Sequence, residues 1–330
     1  MSSFHMANSR QMIALLKSHV RHDEQEFLSI AMEMAAHEAR QGHGQVAEIL
    51  KNLIDEARRQ PKSSTGKPVL MLPNRTELTG LLMTTEPETR LSDMVLPEAL
   101  ASRLQRILME QRQQTKLREN GLRPRRKILL VGPPGSGKTM TAAALAGELK
   151  LPLSTILLEG IITKFMGETA SKLKLVFDAM AATEGVYLFD EFDALGARRN
   201  QTNDVGEIRR VLNTFLQLLE KDDSLGLIIA ATNHQELLDR ALFRRFDDVL
   251  EYKLPEDDVL KGILRARLAR AAAKDIDWNL VIEKSRGLSQ ADVSRAATDA
   301  LKFALLSDRP NVTTHSLLTA LDERISFSQK

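Results

Sequence analysis

The chain has 330 residues, 43% hydrophobic and 27% charged, with a formal net charge of +2 and no cysteine. Such a length suits about two domains, and such a composition excludes a mainly disordered chain, a disulfide scaffold, a cysteine-ligated metal centre and a thiol nucleophile; the near-neutral charge does not by itself argue for nucleic acid or a membrane. No apolar run reaches about 18 residues and Met1–Arg10 carry no signal-like apolar core, so no membrane span is expected and a cytoplasmic location is.

Residues 1–62 are read as an N-terminal helical bundle. Ile13, Leu16 and Val20, then Phe27, Ile30 and Met34, then Val46, Leu50 and Leu53 recur at helical spacing, with breaks near Arg21–His22 and Gly42–Gly44. Three amphipathic helices need one another to bury their stripes. Residues 63–90 carry Pro68, Pro73 and Pro87 among polar residues and are read as a linker. A helical segment follows over Leu91–Leu122. Short apolar runs at Ile128–Val131, Leu153–Leu157, Val186–Phe189 and Leu227–Ala231 then alternate with helical stretches, the pattern of a parallel sheet with crossovers. Beyond Pro255 only helix signals remain, at Leu260–Ala273, Leu280–Lys284, Gln290–Leu306 and Thr314–Ile325.

Gly132-Pro133-Pro134-Gly135-Ser136-Gly137-Lys138-Thr139 matches the phosphate-binding pattern G-x-x-x-x-G-K-[ST] in full. A strand precedes it and an Ala-rich helix beginning at Met140 follows. Its glycines let backbone N–H groups close on a β-phosphate at a helix N-terminus; Lys138 is expected to reach the β- and γ-phosphates and Thr139 to ligate Mg²⁺. Asp190 and Glu191 end the strand Val186–Phe189, where the first is placed to hold Mg²⁺ and the second to polarise an attacking water. Asn233 ends a third apolar strand and is placed to hydrogen-bond the γ-phosphate or that water.

With these motifs in order, residues 91–310 resemble the AAA ATPases, and within them the branch of spastin, katanin and the ESCRT-disassembly ATPase. Tyr187–Leu195, Arg209–Leu216, Ala231-Thr232-Asn233, Ala241–Asp247 and Gly287–Asp292 carry the resemblance beside the phosphate loop. It implies an α/β P-loop NTPase sheet with helices on both faces over 91–254 and a small all-α lid over 255–330. It further implies ATP with Mg²⁺, bound by Gly132–Met140, and Asn233 as a first sensor. Arg244 and Arg245 match paired arginine fingers acting on a neighbouring subunit's ATP. Lys164-Phe165-Met166-Gly167 match a pore loop gripping a polypeptide, with Gly167 letting the loop turn. The resemblance therefore implies an ATP-promoted homo-oligomeric ring, a hexamer by this family's habit, that threads protein clients.

The other features invite plainer readings. The resemblance further implies that Ser92–Pro97 flanks adenine, with no single residue assigned because the family's glycine is absent there, and that Ala291 lies near the base, while Arg198, Arg199 and Asn200 suit a second pore loop or a solvated basic turn. Five of the seven histidines fall in the first 43 residues without metal-ligand spacing. Between Arg103 and Lys127 nine basic residues stand against two acidic ones without interleaved aromatics, so a solvated face or subunit interface is preferred over nucleic acid. Residues 1–62 are similar in size, helix count and position to the microtubule-interacting-and-trafficking bundle of the same branch, which implies docking of an adaptor or protease partner.

Overall fold

The computed structural model describes residues 24–40, 80–162, 166–195, 205–234, 240–269, 272–273, 276–307 and 311–328, with residues 42, 47, 48, 51 and 78. The chain divides into two compact units, Met1–Val69 and Leu70–Lys330. In the first, helix α1 (Glu24–Arg40) ends just before Gly42, whose φ of 88° is the left-handed conformation a helix stop favours. Of the other two helices expected before residue 62, that around Ile13–Val20 lies outside the described residues, and that around Val46–Leu53 is described only at Ala47, Glu48 and Lys51, which are helical.

The second unit is built on a six-stranded sheet. Its strands are β1 (Leu82–Thr85), β2 (Lys127–Val131), β3 (Leu153–Ile156), β4 (Val186–Phe189), β5 (Leu227–Thr232) and β6 (Asp248–Glu251), in spatial order β1-β3-β4-β5-β2-β6. All neighbours are parallel except β1 and β3. The mixed sheet with helices on both faces is the expected fold class. Two strands go beyond the sequence pattern. β1 falls within the segment read as a linker: its LMTT sequence is too short and too exposed to show a pattern, and β3 supplies the pairing that makes it a strand. β6 has the sequence DVLE, which reads as strand only once β2 lies beside it.

Because both faces are covered, the central strands are near-continuous apolar runs, and period-two alternation decides which face each residue fills. Leu129, Tyr187, Phe189, Ile228 and Ala230 point to one core; Ile128, Leu130, Val186, Leu188 and Ile229 point to the other. Helix α2 (Glu98–Arg112) and helix α4 (Lys138–Leu149) cover the second core, through Leu104, Ile107, Ala142 and Leu145; a short helix α3 (Gln114–Glu119) lies between them in the chain. Helices α5 (Leu158–Ile161), α6 (Met166–Ala182) and α7 (Val205–Lys221) cover the first. Phe177, Phe189, Phe192 and Phe215 meet there, with ring centroids 4.7–6.0 Å apart.

After the short helix α8 (Arg240–Phe243) and β6, the chain forms a third core of its own. Helices α9 (Asp257–Leu268), α10 (Trp278–Ser285), α11 (Gln290–Leu306) and α12 (Thr314–Ser328) pack through Leu260, Leu264, Val281, Val293, Ala297, Leu317 and Leu321. A two-residue parallel bridge of β7 (Ala272–Ala273) and β8 (Asn311–Val312), absent from the helix-only expectation, ties the connections together.

Candidate functional site

Parallel pairing brings the chemistry to one sheet edge. Val131 pairs with Thr232 and Phe189 with Ala230, so the residues that follow β2, β4 and β5 emerge side by side. Such carboxyl-end clustering is where open α/β sheets take ligands. Gly132 donates its N–H to the Thr232 carbonyl (3.3 Å) and packs so closely that an added Cβ would lie 2.3 Å from the Tyr252 carbonyl oxygen. With a φ of 150° as well, this position is closed to other residues.

Lys138 opens α4 and is buried. Its ammonium donates to the Gly132 carbonyl (2.8 Å), the Pro133 carbonyl (2.9 Å) and Asn233 Oδ1 (2.8 Å). Burial lowers its pKa below that of free lysine, while the negative charges of Asp190 and Asp193 pull it back up. Thr139 Oγ1 donates to Asp190 Oδ2 at 2.7 Å. Glu191 stands at φ 49°, an uncommon conformation for a non-glycine residue, and donates its N–H to Asp190 Oδ1 (3.0 Å). The two carboxylates are bracketed by Phe189 and Phe192, both fully buried.

These groups share a cavity of about 540 Å³ with Pro134–Met140, Asp93–Val95, Ile263, Arg267, Gln290, Ala291 and Arg295. Its size and its few convergent polar groups are those of a small-molecule site. The residues fit a nucleotide triphosphate. The N-terminus of α4 has no side-chain cap, so its N–H groups are oriented to receive an anion, and Lys138 adds a cation. Gly135 has φ 72° and lies where a Cβ would meet Ser289 Oγ at 2.6 Å, while its carbonyl accepts from Ala291 N–H (3.0 Å). Thr139 and Asp190 fit Mg²⁺ as hard oxygen donors. Among the described residues no group of three or more His, Asp or Glu is arranged to hold a metal ion by itself, so phosphate oxygens and water would complete its shell.

The sequence-derived set is largely gathered here. Pro134, Gly135, Ser136, Gly137, Lys138, Thr139, Met140, Asp190, Glu191 and Asn233 all line the cavity, whereas Gly132 and Pro133 serve through the carbonyls that hold Lys138. Arg244 and Arg245 do not line it; both are exposed beyond α8, and Arg245 pairs with Glu220. Lys164 and Phe165 lie outside the described residues, as do Arg198, Arg199 and Asn200. Met166 and Gly167 begin α6, and Gly167 is helical without a positive φ, so it does not turn a loop. A short polar start to a helix carries no mark that separates it from a loop.

Some participants escape the sequence pattern. Asp193, buried in the short turn Phe192–Leu195, accepts from Thr232 Oγ1 (2.9 Å) and from Asn233 N–H (3.3 Å), tying the β4 loop to the β5 end. Its spacing three residues after Asp190 is visible in sequence; its partners are not. Ile263 and Arg267 come from a helix with no local functional signal, and Arg295 lies three residues beyond the Gly287–Asp292 stretch, which does not include it. The basic stretch before β2 resolves differently. Arg103, Arg112, Arg123, Arg125 and Arg126, five of its nine cations, pair with Asp248, Glu148, Asp223, Glu110 and Asp222.

Comparison with known proteins agrees with this geometry. A profile of the family described as "ATPase family associated with various cellular activities (AAA)" matches residues 128–254. A protein named "Uncharacterized AAA family ATPase y4kL" from Sinorhizobium fredii is 31% identical over 319 residues, covering 96% of each chain. The chain belongs to the AAA ATPase family. As an AAA ATPase it binds nucleotide and hydrolyses ATP. Proteins named "Proteasome-activating nucleotidase" from Pyrococcus abyssi and Pyrococcus horikoshii are each 35% identical over 220 residues, covering 64% of this chain. The chain spans just over half the length of these two, 55% of each. Among the described residues, no helix of this AAA ATPase is long and apolar enough to cross a membrane.

Proposed function

We propose that this AAA ATPase is a protein-remodelling motor, a homo-oligomeric ring whose subunits pull a polypeptide client through a central pore. The carrying observation is the preassembled hydrolytic site, Lys138 on Asn233 and Thr139 on Asp190, in a chain similar to proteins named for activating the proteasome. Within the family, Ala241–Asp247 with its adjacent arginines favours the spastin and katanin branch. In this reading the large ATPase domain spans 91–254, the lid 255–330, and residues 1–62 dock an adaptor or protease partner.

The residues divide the work. Lys138 exchanges backbone carbonyls for phosphate oxygens, and the phosphate charge favours its ammonium form. Mg²⁺, held by Thr139 and Asp190, would neutralise charge on the phosphates. Glu191 takes a proton from the attacking water, and Asn233, fixed by Asp193, orients that water or the γ-phosphate. Arg244 and Arg245, lying away from their own subunit's cavity, would reach a neighbour's site, where an always-charged guanidinium stabilises the transferring phosphoryl group. Phe165 would grip client side chains by non-directional apolar contact. Pairing of five cations in the Arg103–Lys127 stretch with carboxylates of the same chain weighs against a nucleic-acid motor.

The test is capture with Glu191→Gln and ATP in native lysate, with and without nuclease. Nuclease-resistant recovery of a few proteins, lost in Phe165→Ala, is expected. Recovery that vanishes with nuclease would replace this reading by a nucleic-acid motor.

A further inference from the structure

Thr141 and Tyr252 form a buried pair of hydroxyls behind the phosphate loop. Thr141 lies in the first turn of α4 and is fully buried; Tyr252 follows β6 by one residue and is 3% exposed. Their side-chain oxygens are 2.6 Å apart. Counting protons gives the direction of the bond. Thr141 Oγ1 has one hydrogen, and the Gly137 carbonyl at 3.1 Å is a nearer and stronger acceptor for it than Met94 Sδ at 3.9 Å. Tyr252 therefore donates to Thr141. Burial pushes the Tyr252 pKa up to about 12 against the opposing effect of that hydrogen bond, which keeps the proton on the phenol.

The same tyrosine reaches the other end of the loop. Its backbone N–H donates to the Val131 carbonyl (2.7 Å), and its carbonyl and Cβ close the space beside Gly132. Gly137, whose carbonyl takes the Thr141 proton, is the residue before α4 and stands at φ 98°. One residue thus fixes the loop both where it leaves β2 and where it enters α4. Residues 132–137 lie between these points, and three of them are glycines, the residue type with the most backbone freedom to lose. Neither Tyr252 nor Thr141 lines the cavity, so any effect on a ligand passes through the loop.

We infer that Tyr252 is a positioning residue for the nucleotide: through the chain Tyr252 hydroxyl, Thr141 hydroxyl, Gly137 carbonyl, it braces the phosphate loop in its binding shape before a ligand arrives. The inference rests on Gly132–Thr139 holding the β-phosphate. Ordering the loop in advance removes part of the entropy cost of binding. ATP and ADP share the β-phosphate, so both gain alike, and the brace acts on ground state and transition state together, raising affinity more than the rate of the chemical step.

The experiment measures Kd for ADP and ATP by calorimetry, kcat and KM, and thermal melting, all on the full chain. The variants are Tyr252→Phe, Thr141→Ser, the double variant Tyr252→Phe with Thr141→Val, Tyr187→Phe and Lys138→Ala. Losing the hydrogen bond in Tyr252→Phe should weaken ADP and ATP binding equally, roughly three- to tenfold, with KM rising in step and kcat changing less. Thr141→Ser keeps the hydroxyl and should bind like the unaltered chain. The double variant leaves neither hydroxyl of the pair buried without its partner, so its melting temperature should recover while its affinity stays low. Affinity that recovers together with melting, or that is unchanged in Tyr252→Phe, overturns the brace. Tyr187 is equally buried and donates to the Thr183 carbonyl (2.6 Å), ahead of β4 and away from the loop. If Tyr187→Phe weakens binding as much, loss of any buried hydroxyl explains the effect and the brace is overturned. Should the double variant not fold, the contrast between Tyr252→Phe and Tyr187→Phe decides. Unchanged binding in Lys138→Ala would instead overturn the phosphate-loop reading on which the brace rests.

Discussion

The two walls of the cavity are built in opposite ways. On the sheet side, the groups proposed to carry the reaction are already held: Lys138 by three acceptors at 2.8–2.9 Å, Asp190 by Thr139, Asn233 by Asp193. Phe189 and Phe192, buried against Phe215, fix the backbone on both sides of the carboxylates. On the helical side, Arg267 and Arg295 meet no carboxylate among the described residues. The difference shows where order is needed beforehand: chemistry needs groups fixed before substrate arrives, because reorganisation during reaction adds to the barrier.

Four substitutions break or sharpen that contrast. Glu191→Gln keeps the shape and removes the base, so single-turnover ATP hydrolysis should fall ~100- to 10,000-fold with nucleotide affinity retained. Phe215→Ala removes the ring behind both carboxylate-flanking phenylalanines; unfolding should show a loss of about 3–5 kcal/mol, and hydrolysis should fall more than ADP binding. Asp193→Ala leaves the Thr232 hydroxyl and the Asn233 N–H without their acceptor. A stability loss of about 1–3 kcal/mol is expected, with kcat lowered at nearly constant KM; the reverse split would make Asp193 a binding residue. The smallest effect belongs to the helical layer. Hydrogen bonding from Arg324, with help from Lys302, lowers the Asp299 pKa. A depressed folded-state pKa means stability present above the ordinary carboxylate range and lost as pH falls through it. Asp299→Asn should therefore cost about 1 kcal/mol at neutral pH, discounted for partial exposure, and flatten the acid limb of a stability-versus-pH curve.

How much of this molecule is legible in its sequence depends on how local each signal is. The phosphate loop is contiguous, and its glycines, lysine and threonine each have a fixed chemical duty, so Gly132–Thr139 identify both a site and a ligand class. Strands buried on both faces announce themselves as apolar runs, which place β2 to β5 within one residue or so at their ends. Strands β1 and β6 are illegible because their identity comes from the partner beside them. Gly167 misleads for the complementary reason: a glycine near a helix start looks like a turn until its φ is known.

The sequence alone determined the sheet class and the phosphate cradle, and it picked out the carboxylates and the amide proposed for the chemistry, since each is written in residues adjacent along the chain. Only the tertiary structure decided that Asp193 fastens Asn233, that five cations before β2 are spent on carboxylates of the same molecule, and that Arg267 and Arg295 face the nucleotide cavity. Those relations join residues tens to more than a hundred positions apart, and no local pattern records which distant partner a charge will meet once the chain closes on itself.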